Sequence, residues 1–163
     1  MKTSLVVLIA VVIIFAGALI FAGKNSSINQ VSSENSSEPK ENLKSVVARI
    51  GGSHLVASVA NTDRSRSQGF SNVKSISPNE GKMFTFDKED YYTFHMKDMN
   101  FSLDFIFVND QGNVVDIVKN VNPDFKGLIK PAYPASTVFE VSAGWADQNN
   151  IKVGQTVSSV NMQ

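Results

Sequence analysis

Hydrophobic residues along this chain follow two regimes. Positions 5–22 read LVVLIAVVIIFAGALIFA, eighteen residues without a charge, amide or hydroxyl. As a helix this run would be about 27 Å long at 1.5 Å per residue, close to the thickness of a bilayer core. Secretory signal cores are shorter, about 7–15 apolar residues ending at small residues. The run therefore reads as a retained transmembrane anchor, with cleavage near Phe21, Ala22 and Gly23 as the alternative. Lys2 and the α-amine outweigh Lys24 at the far end, which puts the N-terminus on the cytoplasmic side and the rest of the chain outside. Residues 24–45 are rich in Ser, Asn and Glu, with three Lys against three Glu. They bury too little apolar surface to offset their ordering entropy and read as a flexible linker.

From residue 46 onward the apolar period is mostly two. Strands at 46–50 and 55–60 flank a short Gly-containing loop, Gly51–Gly52–Ser53–His54, and predict a hairpin. Thr62 or Asp63 offers an N-cap for a short polar helix at 64–68, stopped by Gly69. Strands follow at 83–86 and 91–97, separated by a charged turn at 87–90. The clearest hairpin joins 101–108 to 114–118 through 109–113. Residues 122–134 carry Pro123, Pro131, Pro134 and Gly127 and predict a long irregular loop. A strand at 138–141, a short helix at 143–149 bearing Trp145 and a closing strand at 157–160 complete the pattern. The expected fold class is α+β and mainly β: a compact barrel-like or strongly bent antiparallel or mixed sheet with two short helices, behind the N-terminal transmembrane helix. The expected domains are an anchor or signal segment at 1–23, a linker at 24–45 and a globular β-rich unit at 46–163.

Charge narrows the function classes. The 163 residues hold 15 Lys and Arg against 15 Asp and Glu, so no global basic field exists to hold nucleic acid. Cysteine is absent, which excludes disulfide scaffolds, zinc ribbons, iron–sulfur sites and thiol catalysis. His54 and His95 lie on separate elements without metal-ligand spacing, and no GxSxG, SxxK or Gly-rich phosphate loop is present. The sequence thus calls for no cofactor and no metal site.

Strand alternation sorts the polar side chains by face. Tyr92, Phe94 and Met96 share one face of 92–97, and Thr93, His95 and Lys97 the other. Asp104 stands with Ile106 and Val108 on an apolar face, so it needs a partner, for which Lys97, His95 or Arg66 could serve. Either it is a tuned carboxyl in a polar site or it makes a structural ion pair or backbone hydrogen bond. Glu140, among Val138, Phe139 and Val141, raises the same question. Asp87, Glu89 and Asp90 read as a solvated turn rather than a cation site, and Met83, Met96 and Met99 as core filler. Arg64 and Arg66 either bind an anion or solvate their helix.

The ordered motifs resemble the bacterial and archaeal domain of unknown function 192. Thr62, Arg66, Gly69 and Phe70 are similar to that family's T-x-x-x-R-x-x-G-L element, and 81–86 to its G-M-L-F-x-F strand. The run FHMKDM at 94–99 followed by LDFIFV at 103–108 is similar to its F-W-M-K-N/D-M and I/L-D-I-I-F blocks. Segments 120–123, 133–134, 138–144 and 150–157 follow in family order. His95 stands where the family usually carries Trp, and Asn72–Val73 where Gly–Arg is common. The resemblance implies a compact, mainly β domain with short helices, often exported, with recurrent polar positions at Arg66, Lys97, Asp98, Asp104, Tyr133 and Glu140.

Together these observations predict a membrane-anchored, extracytoplasmic binding or accessory domain. Its polar pocket, formed by those six residues and His95, would face an envelope saccharide, peptide or protein. One alternative is an envelope-acting hydrolase or transferase using Asp104 with His95 or Lys97. Another is a protein-interaction scaffold anchored by Phe101, Tyr133 and Trp145.

Overall fold

The computed structural model describes residues 44–161. The anchor expected at 1–23 and nearly all of the linker expected at 24–45 lie outside the described residues. Within them, no helix is long and apolar enough to cross a membrane.

Nine short elements follow in order: β1 (Ser45–Ile50), β2 (Ser53–Ala60), α1 (Asp63–Gln68), β3 (Glu80–Asp90), β4 (Leu103–Val108), β5 (Val114–Val121), β6 (Ala135–Ser142), α2 (Trp145–Gln148) and β7 (Val157–Asn161). The strands form one mixed sheet in the order β5-β4-β6-β3-β2-β1-β7. All described pairings are antiparallel except β2 with β3. That parallel step requires a crossover, which residues 61–79 with α1 supply. The two edges come together at one end. Asn113 bridges Thr156, and Val114 N donates to Gln155 O at 2.8 Å while Gly154 N donates to Val114 O at 2.8 Å. The sheet is therefore curled, as the sequence pattern predicts.

Both predicted hairpins form, β1–β2 around Gly51–Gly52 and β4–β5 around 109–113. The predicted turn at 87–90 does not form, because β3 runs without interruption through Asp90. Its charged end projects to solvent beyond the core, and Asp90 pairs with Ala135 after a register shift. Residues 91–102 are not a ladder strand but an irregular segment with a single β-bridge, Phe94 to Ile129. Phe94 and Met96 are still buried and Thr93, His95 and Lys97 exposed, so the alternation holds without the strand. All six residues of β4 are buried, because both of its faces are covered.

The sheet separates two apolar layers. Ile50, Leu55, Met83, Ile106, Phe139 and Trp145 lie in one, and Phe70, Phe84, Phe94, Phe105, Phe107 and Val138 in the other. Met83 and Met96 are buried and Met99 packs against the second layer, as core filler should. Close backbone approach at the sheet centre depends on Gly81: a Cβ there would sit 2.8 Å from the Glu140 carbonyl oxygen and 3.0 Å from Leu55 Cδ2. Gly81→Ala is expected to destabilise the domain by about 1–3 kcal/mol through overpacking, measured by urea unfolding.

Candidate functional site

Three of the seven sequence-predicted site residues meet in one groove. It lies between α1, the end of β3 and the 91–102 segment, with a volume of about 350 Å³. Arg66, His95 and Glu140 line it together with Asp63, Gly69, Phe84, Phe86, Tyr92 and Phe94.

Local structure places each part. Thr62 caps α1 through a capping box with Ser65, which fixes where the helix starts over the sheet. Arg66, one turn on, donates from Nη1 to the Thr85 carbonyl at 2.9 Å and from Nη2 to Asp63 Oδ1 at 2.7 Å. Its guanidinium carbon stands 5.2 Å from the Phe86 ring centre, and Phe86 stacks on Tyr92 at 3.6 Å. The helix ends at Gly69, whose φ of 48° suits glycine. A Cβ there would lie 3.6 Å from Glu140 Oε2, so Gly69 packs directly beside the carboxyl.

Glu140 forms the floor. It lies at the centre of the sheet, opposite Lys82 of β3 on one side and Phe105 of β4 on the other, so its side chain shares a face with both. It is only 5% exposed, and its Oε2 has no hydrogen-bond partner among the described residues. Burial raises its carboxyl from an ordinary 4.5 to about 8, against the opposing pull of the Lys82 ammonium. Lys82 is itself buried, its Nζ 5.0 Å from the Phe70 ring centre.

The remaining predicted residues are elsewhere. Asp104 is fully buried on the opposite face of the sheet. Its Oδ1 accepts from Asn120 N at 2.8 Å and its Oδ2 from Ala146 N at 3.0 Å. The pairing of Leu103 with Val121 and of Phe105 with Val118 leaves Lys119 and Asn120 as a bulge opposite Asp104. Asp104 thus receives the N–H that the bulge releases and one from the first turn of α2. It has none of the expected partners Lys97, His95 or Arg66, and it does not share their site. Lys97 and Asp98 are exposed beside the groove, where their carbonyls accept from Ser71 Oγ and Asn72 N. Tyr133 borders a separate depression with Glu89, Asn109 and Val153. Of the aromatics Phe101, Tyr133 and Trp145, Trp145 is 3% exposed and Phe101 packs on Phe70 at 5.9 Å, so they form no common surface. The acidic run at 87–90 is divided: Lys88 pairs with Asp90, and Glu89 accepts from Asp110 N.

Sequence reasoning missed Lys82 and the Phe86–Tyr92 stack, and read Gly69 only as the stop of α1. The signal for Lys82 was present, since it shares parity with Phe84 and Phe86 in the same strand. What was missing was the antiparallel pairing that puts it opposite Glu140.

Comparisons with known proteins bear on this fold. No curated protein matches the chain. Among solved structures, a protein of unknown function from Novosphingobium aromaticivorans DSM 12444 is 27% identical with a TM-score of 0.68, over 74% of this chain and 89% of that one. A proposed transcription regulator from Sinorhizobium meliloti 1021 is 23% identical with a TM-score of 0.67, over 71% of this chain and 93% of the other, a likeness of fold. The profile of DUF192, described as Uncharacterized ACR, matches residues 46–159. That match spans nearly the whole β unit, and the chain belongs to the domain of unknown function 192 family.

Proposed function

We propose that this chain is a membrane-anchored, extracytoplasmic binding module whose groove beneath α1 takes a small polar component of the cell envelope, such as a saccharide or peptide fragment. The apolar run at 5–22 and the polar stretch after it support the anchored placement. The observation that carries the binding reading is the partnerless Oε2 of Glu140 at the floor of an open groove. A buried polar oxygen left without a partner is costly, and a ligand that supplies the missing hydrogen bond recovers that energy.

A thermal-shift screen of the full-length protein in mild detergent, against envelope saccharides and short peptides, tests this reading. A ligand present at about 100 times its dissociation constant stabilises by about 2.7 kcal/mol, a shift of several degrees. Ser67 is exposed on α1 and lines the groove, so Ser67→Trp is expected to abolish the shift while leaving the melting temperature of the unliganded protein unchanged. No stabilisation across the panel, or a shift that survives Ser67→Trp, contradicts the reading.

A second reading, an envelope-acting hydrolase or transferase, draws on a carboxyl held near 8 in an accessible groove with His95 on its wall. In that case Glu140 takes the acid–base role that the sequence assigned to Asp104. Turnover of a panel member that stops in Glu140→Gln distinguishes it from binding alone.

A further inference from the structure

We infer that the ligand of this groove is a small organic carboxylate, its oxygens received by the Glu140 carboxyl and the Arg66 guanidinium and its apolar body held by the aromatic wall. The inference rests on the reading that the groove is a ligand site, and it names the ligand's chemical class.

A buried glutamate among aromatic rings first suggests a pocket for a cation. The positions such a cation would need are already taken. Lys82 Nζ stands 5.0 Å from the Phe70 ring centre, and the Arg66 guanidinium 5.2 Å from that of Phe86. Phe84 and Phe94 pack edge to face on each other at 5.1 Å. A ligand ammonium would meet two cations and few open ring faces.

The charged and titratable groups around Glu140 are few. Asp63 and Arg66 come from α1, Lys82 from β3, and His95 and the Tyr92 phenol, which donates to the Lys88 carbonyl, from the 91–102 segment, while β4 contributes Phe105, which carries no charge. Asp63 is fully exposed and paired with Arg66. Burial favours the protonated form of Glu140, which makes the carboxyl with the partnerless oxygen an O–H donor. A donor at the floor, a guanidinium on the wall and an ammonium behind form a receptor for a planar oxyanion. The volume of about 350 Å³ is at the small end of ligand pockets and suits a carboxylate on a single ring.

Calorimetric titration of the full-length protein tests this with benzoate, cyclohexanecarboxylate and glucuronate. The corresponding amides, benzylamine and inorganic phosphate serve as comparisons. Each is run at pH 7 and pH 9 on the wild type, Ser67→Trp, Glu140→Gln and His95→Gln. At least one carboxylate is expected to bind at pH 7, at least tenfold more tightly than its amide, and to weaken about tenfold at pH 9. That factor is the fall in the protonated fraction of a group with a midpoint near 8. Glu140→Gln keeps an N–H donor and is expected to bind with the pH dependence removed, whereas His95→Gln is expected to keep it. Ser67→Trp is expected to abolish binding.

Failure of this inference and failure of the binding reading look different. Amides, the amine or phosphate binding as tightly as the acids, with the effect lost in Ser67→Trp, overturns the carboxylate and leaves the groove as a ligand site. Carboxylate binding that persists in Ser67→Trp overturns both, as does a pH response unchanged in Glu140→Gln together with binding elsewhere. Absence of carboxylate binding overturns the inference even where the envelope panel stabilises the protein. The wild-type pH comparison decides the point should Glu140→Gln fail to fold.

Discussion

Asp104→Ala is expected to cost about 3–5 kcal/mol of folding stability while leaving the binding proposed for the groove intact. The magnitude follows from what the carboxyl holds. Its two oxygens accept the N–H groups of Asn120 and Ala146 at full burial, and alanine leaves both donors unsatisfied in the core, at about 1–3 kcal/mol each. The side chain also joins three elements, β4, the bulge of β5 and the first turn of α2. Its loss is therefore expected to loosen α2 and expose Trp145, whose fluorescence reports the change. Asp104→Asn keeps one acceptor and turns an NH₂ toward the other N–H, for an intermediate loss of about 1–3 kcal/mol. Urea unfolding monitored at Trp145 checks both. A loss below about 1 kcal/mol for Asp104→Ala contradicts the structural role.

Stability is expected to fall as pH rises through the range from 4.5 to about 8, and to level off above it, because of Glu140. Its carboxyl titrates near 4.5 in the unfolded chain and near 8 when folded, so the native state binds the proton more tightly. The associated stability is complete below pH 4.5 and is lost as pH passes through the folded midpoint. A shift of this size corresponds to a few kcal/mol. Glu140→Gln removes the titrating group and keeps the shape, so its unfolding free energy is expected to be flatter over the same window and higher than that of the wild type at pH 8–9. Denaturant unfolding of both proteins at pH 5, 7 and 9 measures the difference. Parallel profiles for the two proteins contradict the assignment.

Local features of the fold were readable from sequence because short-range physics decides them. The hairpins depend on nearby glycines and alternation, and the α1 cap on Thr62 and Ser65, three residues apart. The parallel pairing of β2 with β3 and the place of β6 between β4 and β3 depend on contacts between distant segments, and no periodicity encodes them. The end of β3 imitated a turn because a strand that leaves the core is as polar as a loop. The candidate site shows the same division. Glu140 was identified as unusual from its apolar neighbours, Arg66 through the family resemblance and His95 as a possible partner of Asp104, and the fold brings the three together. Asp104 was also identified as unusual, but whether a lone carboxyl in an apolar strand serves a ligand or a backbone depends on the bulge opposite it. That bulge is a property of β5 pairing. Lys82 became significant only when the β3–β6 register set it beside Glu140.

The central claim is that the groove beneath α1 is lined by a buried glutamate, Glu140, whose Oε2 has no hydrogen-bond partner among the described residues. Carbon-13 NMR of the Glu140 side-chain carboxyl, followed through a pH titration of the full-length protein with and without benzoate, measures this directly. A midpoint near 8 that moves upward when benzoate is added is the expected result, because a bound carboxylate stabilises the protonated form. A midpoint in the ordinary range near 4.5, unmoved by the added acid, would contradict it.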